Sequence, residues 1–224
     1  LLHADLPYTS GFAKAYKNIG KMQNRGLEIT LETLNIKNRQ FSWSTNFNIS
    51  FNQGKIKGLN EGQEALLSSV SFDTTTPIYI AQINKPAGLI YGFVYDGTYK
   101  YDDFDKDASG KYTLKPTVVN NGGERSAIQP GTAKYKDINH DGVINDDDRT
   151  VIGRGHPIHT GGFTNNFTYK DFDLSIFFQW SYGNDIVNSN RNIFENGEPK
   201  KDTNMFASYA NRWTPDNPDS DIPA

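Results

Sequence analysis

One run constrains this chain more than any other: FSWSTNFNISFN, from Phe41 to Asn52, alternates without a break. Phe41, Trp43, Thr45, Phe47, Ile49 and Phe51 occupy the odd positions, and Ser42, Ser44, Asn46, Asn48, Ser50 and Asn52 the even ones. Successive side chains of a strand point to opposite faces, so this pattern builds a strand with one apolar and one wet face. Three more runs share the habit. In GLEITLETL, Leu27, Ile29, Leu31 and Thr33 alternate with Glu28, Thr30 and Glu32. In GFTNNFTYK, Phe163, Phe167 and Tyr169 are in phase, and in FDLSIFFQW, Phe172, Leu174, Ile176, Phe178 and Trp180 are. Short polar connections at 35–39 and around Lys170 and Asp171 join the runs into two tight-turned hairpins, about 26–52 and 159–182.

Each arm can reach the length of about 9–11 residues that a tilted membrane strand needs, whereas globular strands commonly run about 5–6. The fold expected is therefore all-β, with antiparallel strands belonging to a transmembrane β-barrel. The alternative is a soluble β-sandwich, which would have to bury the Phe41, Trp43, Phe47, Ile49 and Phe51 face against a second sheet. Between the hairpins, residues 53–158 shift to Gly, Pro, Asp, Lys and Tyr. Outer-membrane barrels carry short turns on the periplasmic side and long loops outside. Residues 53–158 and 183–224, the latter with Trp213 and TPDNPDSDIP, are accordingly read as extracellular loops.

Composition agrees with long two-faced strands: aromatics make up 13% of the 224 residues, yet the mean hydropathy is −0.66. No uninterrupted apolar run approaches the ~18 residues of a membrane helix. With 23 Lys+Arg against 26 Asp+Glu, no broad basic surface exists for tracking phosphates, so a nucleic-acid partner is not expected. Zero cysteines exclude a disulfide framework, a thiol nucleophile and a thiolate zinc site. The opening LLHADLPYTSGF shows no basic-then-apolar signal pattern, and both ends read as cuts through a longer protein.

The sharpest local motif is DINHDGVINDDD, Asp137 to Asp148. A calcium-binding turn needs oxygen ligands at loop positions 1, 3, 5 and 12, a backbone carbonyl at 7 and glycine at 6. Here these are Asp137, Asn139, Asp141, Asp148, the carbonyl of Val143, and Gly142, with Ile144 as an apolar anchor and Asn145 at position 9. Asp148 stands where a regulatory EF-hand carries a bidentate Glu, and no amphipathic helix pair flanks the loop. The pattern is therefore dockerin-like: Ca2+ would hold a surface segment in shape. The acidic cluster Asp102, Asp103, Asp105 and Asp107 has Ala108 where the sharp-turn glycine would be, and reads as a solvated loop.

The stretch GLIYGFVYDGTYKYDDF gathers Tyr91, Phe93, Tyr95, Tyr99 and Tyr101 among glycines. Such rings either stack on a ligand, sugar or peptide, or pack the loop against itself. Four histidines, His3, His140, His156 and His159, suggest no nucleophile–base pair, and Pro157 interrupts any helical ligand face between the last two. No pair of carboxylates is singled out for glycoside hydrolysis. An enzyme is not expected.

Taken together, NIGKMQNRGLEITL (18–31), FSWSTNFNISFNQGKI (41–56), YGFVYDGTY (91–99), PGTAKYKDINHDGVINDDDRTVIG (130–153) and NRWTPDNP (211–218) resemble the C-terminal barrel region of the SusC/RagA family of TonB-linked outer-membrane transporters. The resemblance implies a bacterial outer-membrane location, a 22-stranded plugged barrel, energy from TonB through an N-terminal part not in this chain, and a SusD-like lipoprotein that captures oligosaccharide or peptide. The strand faces of Phe, Trp, Leu and Ile would then meet outer-membrane lipid. The competing reading is a soluble extracellular module that binds carbohydrate with calcium support.

Overall fold

The computed structural model describes residues 2–5, 9, 11, 14–17, 20–59, 62–69, 76–195 and 204–224. Asn18 and Ile19 of the first family-like stretch, the side chain of His3, and parts of the two expected loops (60–61, 70–75 and 196–203) lie outside them. In chain order the strands are β1 (Leu2–Asp5), β2 (Lys14–Lys17), β3 (Lys21–Lys37) and β4 (Phe41–Gly58), followed by β5 (Ala65–Ser68), β6 (Tyr79–Gln82) and β7 (Leu89–Gly92). Next come β8 (Tyr95–Thr98), β9 (Phe104–Lys106), β10 (Tyr112–Leu114), β11 (Ala133–Tyr135) and β12 (Thr150–Arg154). The long strands β13 (His159–Tyr169) and β14 (Phe172–Tyr182) precede the short helix α1 (Ser189–Phe194). The pairs β1–β2, β3–β4, β4–β13, β13–β14, β5–β6, β6–β7, β8–β11 and β9–β10 are antiparallel.

Two compact units emerge: Leu1–Val70, Thr74–Ile90 and Gly153–Ile186 in the first, Tyr91–Ile152 and Val187–Ala224 in the second. The first is dominated by a four-stranded sheet in the order β14-β13-β4-β3. Its register explains the alternation. Leu31 faces Phe47, which faces Phe163, which faces Phe178, and all lie on one side. Glu32, Asn46, Thr164 and Phe177 form the neighbouring row on the other. Both tight turns sit at the same end, where the Lys170 N–H donates to the Gln40 carbonyl at 2.8 Å and Asn38 Oδ1 accepts from the Gln40 and Phe41 N–H groups. Lys170 turns with a φ of 50°, the left-handed conformation that a two-residue hairpin connection requires.

The first hairpin is longer than the expected 26–52, because the ladder continues from Gln53 to Gly58 opposite Lys21 to Arg25. Backbone hydrogen bonds do not need apolar side chains, so the strands outrun their hydrophobic pattern. A bulge between Leu34 and Ile36 leaves Asn35 unmatched in the register. No second sheet covers the apolar face among the described residues: Leu27 is 59% exposed, Phe178 59% and Phe172 78%.

The second unit is a folded body with its own core. Tyr99, Phe104, Leu114 and Ile128 are buried together, with Tyr112 and Val118 packed around them. The segment expected as one long loop therefore contains short paired strands, β8 with β11 and β9 with β10, beside a local hydrophobic cluster. This satisfies the objection that a structureless stretch of such length is rare in a compact domain.

Candidate functional site

In the turn from Asp137 to Asp148 the side chains of Asp137, Asn139, Asp141, Asn145 and Asp148 collect backbone donors. Asp137 Oδ1 accepts from the His140 and Asp141 N–H groups, and its Oδ2 from Gly142 N–H at 2.8 Å. Asn139 Oδ1 accepts from Asp141 N–H, its amide donates to Asp141 Oδ2, and Asp141 Oδ1 accepts from Val143 N–H at 2.9 Å. Gly142 sits at φ +88° with open space around it, so the turn requires its backbone freedom rather than its small size.

Asp148 is fully buried. Its carboxylate accepts from the N–H groups of Asn145 (2.8 Å), Ile138 (2.8 Å) and Asn139 (3.4 Å). These bonds, that from Asn145 foremost, outweigh the burial that opposes ionisation and hold the carboxyl below its ordinary value of 3.8. Asn145 also caps the short 3-10 turn Asp146–Asp148 by accepting from Asp147 N–H. Ile144, buried, ties the loop to its support: its N–H donates to the Asn120 carbonyl at 2.6 Å, while Asn120 N–H donates to the Gly142 carbonyl.

The oxygen-rich donor set suits a hard cation. Among the described residues no three His, Asp or Glu side chains converge as a ready-made ion site, so an ion held here would also draw on the Asn139 amide and the Val143 carbonyl. The other acidic cluster serves turns. Asp107 Oδ1 accepts from Ser109 and Lys111 at the tip of the β9–β10 hairpin, and Asp103 from Lys100 N–H.

The five aromatic residues of the tyrosine stretch do not form one platform. Tyr99 is fully buried, donates to the Val119 carbonyl at 2.8 Å and packs edge-on to Phe104, so its ring offers no stacking surface. Burial pushes its phenol up to about 12. Tyr101 lies between Tyr112 and Trp213 at 5.4 and 5.5 Å. Tyr95 donates to the Asp221 carbonyl and meets Tyr135, which also contacts Phe93. The Arg149 guanidinium stands 5.0 Å over the Tyr91 ring and 5.7 Å from Phe93.

What the sequence reading missed is the C-terminal tie. Trp213 lies flat on Gly131, where a Cβ would come within 2.5 Å of the indole, and the Ala224 N–H donates to the Gly131 carbonyl. The Ser220 carbonyl accepts from Thr98 Oγ1 and Lys100 Nζ. The only hint in the sequence was a glycine at Gly131 and a tryptophan far downstream.

The long sheet carries the other candidate surface, its apolar face. His159 does not point to a ligand set: its ring stacks on Tyr182 at 5.0 Å and its Nδ1 accepts from Trp180 Nε1. A Cβ at Gly161 would fall 2.2 Å from the Trp180 ring, so glycine there lets the indole lie across the strand toward Phe47, 6.0 Å away. Near the tight-turn end, Phe167 stacks on both Trp43 (5.8 Å) and Phe41 (6.5 Å). One polar row crosses this face, and its members satisfy one another. Thr33 donates to Asn35, Asn35 to Thr45, and both Thr45 and the Trp43 indole to Asn165 Oδ1. Paired polar groups of this kind are what a surface in hydrocarbon requires.

No protein-family model matches the chain. It is 33% identical over 219 residues to the TonB-dependent receptor P3 of Formosa agariphila, an alignment covering 97% of this chain and 20% of that receptor. It is 23% identical over 202 residues to the TonB-dependent receptor SusC of Bacteroides thetaiotaomicron, covering 86% of this chain and 17% of the receptor. Among solved structures, that of the RagAB peptide transporter superposes with a TM-score of 0.67 at 26% identity, over 98% of this chain and 22% of the matched one. The chain thus spans about a fifth of the length of the proteins it matches, which are receptors and transporters rather than enzymes. Its two-faced antiparallel sheet, its aligned relatives and its structural neighbour together assign the chain to the SusC/RagA family of TonB-dependent receptors, proteins of the bacterial outer membrane.

Proposed function

We propose that this chain is part of the barrel wall and the outer face of an importer that carries oligosaccharides or peptides across the outer membrane. The observation that carries the reading is the long sheet: one face exposes Leu, Ile, Phe and Trp, and the other Glu, Asn, Ser and Thr, over strands of 11 to 18 residues. Lipid solvates the first face and the water-filled lumen the second. Both outer strands of the sheet present unpaired ladder edges among the described residues, which further strands of a closed barrel would occupy. The second unit, polar outside and self-packed, suits the extracellular side. A SusD-like lipoprotein is the partner that fits there, with TonB acting through another part of the receptor. In cells expressing the whole receptor, accumulation of a labelled oligosaccharide or peptide should stop when TonB is deleted. Accumulation independent of TonB would refute this role.

Ca2+ fits the Asp137–Asp148 turn as a shaping ion. Asp137, Asn139, Asp141, Asp148 and the Val143 carbonyl would hold it, lowering the ordering cost of docking a partner or substrate. Asp141→Ala or a chelator should then raise protease cleavage of this turn in the whole receptor without unfolding the barrel. Unchanged cleavage under both treatments would remove calcium from the account. Of the aromatic stretch, Tyr91, Phe93 and Tyr95 remain as ligand contacts, with Tyr101 held by its neighbours and Tyr99 assigned to the core.

A further inference from the structure

At the end of the long sheet remote from the tight turns, the apolar face changes character within one row. Leu27 and Phe51 are cross-strand partners; the next pair outward on the same face is Arg25 with Gln53, followed by Gln23 with Lys55. Two residues advance a strand by about 7 Å, so the first cationic row lies one step beyond the last apolar one. Rings mark the boundary: His159 packs on Phe51 at 5.5 Å, stacks on Tyr182 at 5.0 Å and accepts the Trp180 indole N–H on its Nδ1. Aromatic side chains with a polar edge gather where hydrocarbon meets headgroups. A cation on the lipid face costs little at that depth and much more near the midplane.

An open pocket of about 400 Å3 lies across this boundary. Leu27, Phe51 and Ile158 form its apolar part, Arg25, Gln53 and Arg154 its polar part, and no carboxylate lines it. Ile158 lies against Gly183, where a Cβ would come 2.6 Å from its Cδ1. Arg154, the last residue of β12, brings the second guanidinium from outside the long sheet. Its Nε donates to the His156 carbonyl at 3.0 Å, which holds the group in place and leaves both terminal nitrogens without a partner among the described residues. Arg25 is steadied by its neighbour: with the Gln23 carboxamide oxygen turned toward it, Nε and Nη2 donate at 3.1 and 3.2 Å. The nearby Asp185 carboxylate accepts from the Arg154 main-chain N–H at 2.9 Å. Neither guanidinium is ion-paired among the described residues.

The planar donor fork of a guanidinium matches the oxygens of a phosphate, while Leu27, Phe51 and Ile158 match methylene groups. A soluble anion would use the cations and leave the apolar wall in water. A neutral lipid would cover the wall and leave the cations unmatched. A molecule with both parts satisfies the whole pocket. With the tight turns on the periplasmic side, this end of the sheet faces outward. We propose that the pocket seats one phosphate-bearing lipid of the outer leaflet, its phosphate on Arg25 and Arg154 and its acyl chains running along Leu27 and Phe51. The inference rests on the barrel-wall reading and adds a lipid partner to it.

The test offers the whole receptor, purified in neutral detergent, phosphatidic acid, diacylglycerol with the same acyl chains, and inorganic phosphate, and reads the bound species by native mass spectrometry. Phosphatidic acid should be retained and the other two should not. Arg25→Gln combined with Arg154→Gln should weaken its binding about tenfold or more, as expected for losing two charged hydrogen-bonding partners. Arg39→Gln combined with Lys170→Gln removes the same charge at the tight-turn end and should leave binding unchanged. Equal retention of diacylglycerol, equal binding of inorganic phosphate, or the same loss in both double variants would overturn the proposal. If the first double variant loses the heat-modifiable gel mobility of a folded barrel, Arg25→Gln and Arg154→Gln taken singly decide by the same criteria. The barrel-wall reading is checked separately: wild-type receptor recovered outside the membrane fraction refutes that reading, whereas membrane-inserted receptor without a preference for phosphatidic acid refutes only the pocket.

Discussion

The long sheet and the second unit use aromatic residues in opposite ways. In the sheet, Phe172, Phe178 and Tyr182 stand outward, and the side of the strands that would be the core of a soluble protein is open. In the second unit, Tyr99, Phe104 and Leu114 close on one another, and the phenol of Tyr99 finds a carbonyl. Both regions contain phenylalanine, tyrosine and leucine, so residue type does not separate them. On the barrel-wall reading proposed above, the medium does: hydrocarbon would take the place of a packed partner in the first, while water forces the second to build its own interior.

That contrast can be broken at a single leucine. Leu114→Ala should destabilise the second unit by about 2–5 kcal/mol, the usual cost of a buried cavity. Leu31→Ala on the sheet should cost far less, because acyl chains fill the gap. Limited proteolysis of the whole receptor checks both, and equal sensitivity in the two variants would erase the distinction. Reversing the chemistry sharpens it. Phe178→Arg should penalise barrel assembly by about 2–4 kcal/mol if the residue lies near the bilayer midplane, whereas Thr164→Arg on the opposite face should leave it nearly unchanged. Urea titration of receptor refolded into lipid reads the difference.

A smaller effect is expected from alkali. The Tyr99 phenol is raised from 10.0 to about 12 by burial. An unfolded chain would release this proton near 10.0, so the contribution of Tyr99 is complete below that pH and is lost as the pH climbs toward 12. The second unit should therefore loosen between these values, with tyrosinate absorbance rising as the Tyr99 core opens. A sheet that melts first would contradict the assignment of Tyr99 to an independent core.

The alternation of Phe41 to Asn52 was legible because strand periodicity is written locally, two residues at a time. Its extension to Gly58 was not, since ladder hydrogen bonds leave no mark on side-chain type. Asn165 broke the phase of its strand, and only the fold shows why it is tolerated: Thr45 and Trp43 donate to it from the adjacent strand. Phe177, on the polar face and 60% exposed, likewise breaks the pattern, and nothing in the structure explains it. The Asp137–Asp148 turn could be read because Asp, Asn and Gly act on their own backbone within a few residues. The core of the second unit could not, because Tyr99, Phe104, Leu114 and Ile128 are scattered through a glycine- and lysine-rich stretch without period. The seat of Trp213 on Gly131 joins segments too far apart for any local pattern to announce.

The central claim, that one face of the long sheet meets lipid and the other water, is tested most directly by cysteine scanning. This stretch has no native cysteine, so single cysteines can be placed from Asn46 to Phe51 in the whole receptor in its membrane. Positions 47, 49 and 51 should react with a lipid-soluble maleimide and resist a charged one, while 46, 48 and 50 should do the reverse. Reactivity without alternation, or charged-reagent labelling at Phe47→Cys and Ile49→Cys, would contradict the account.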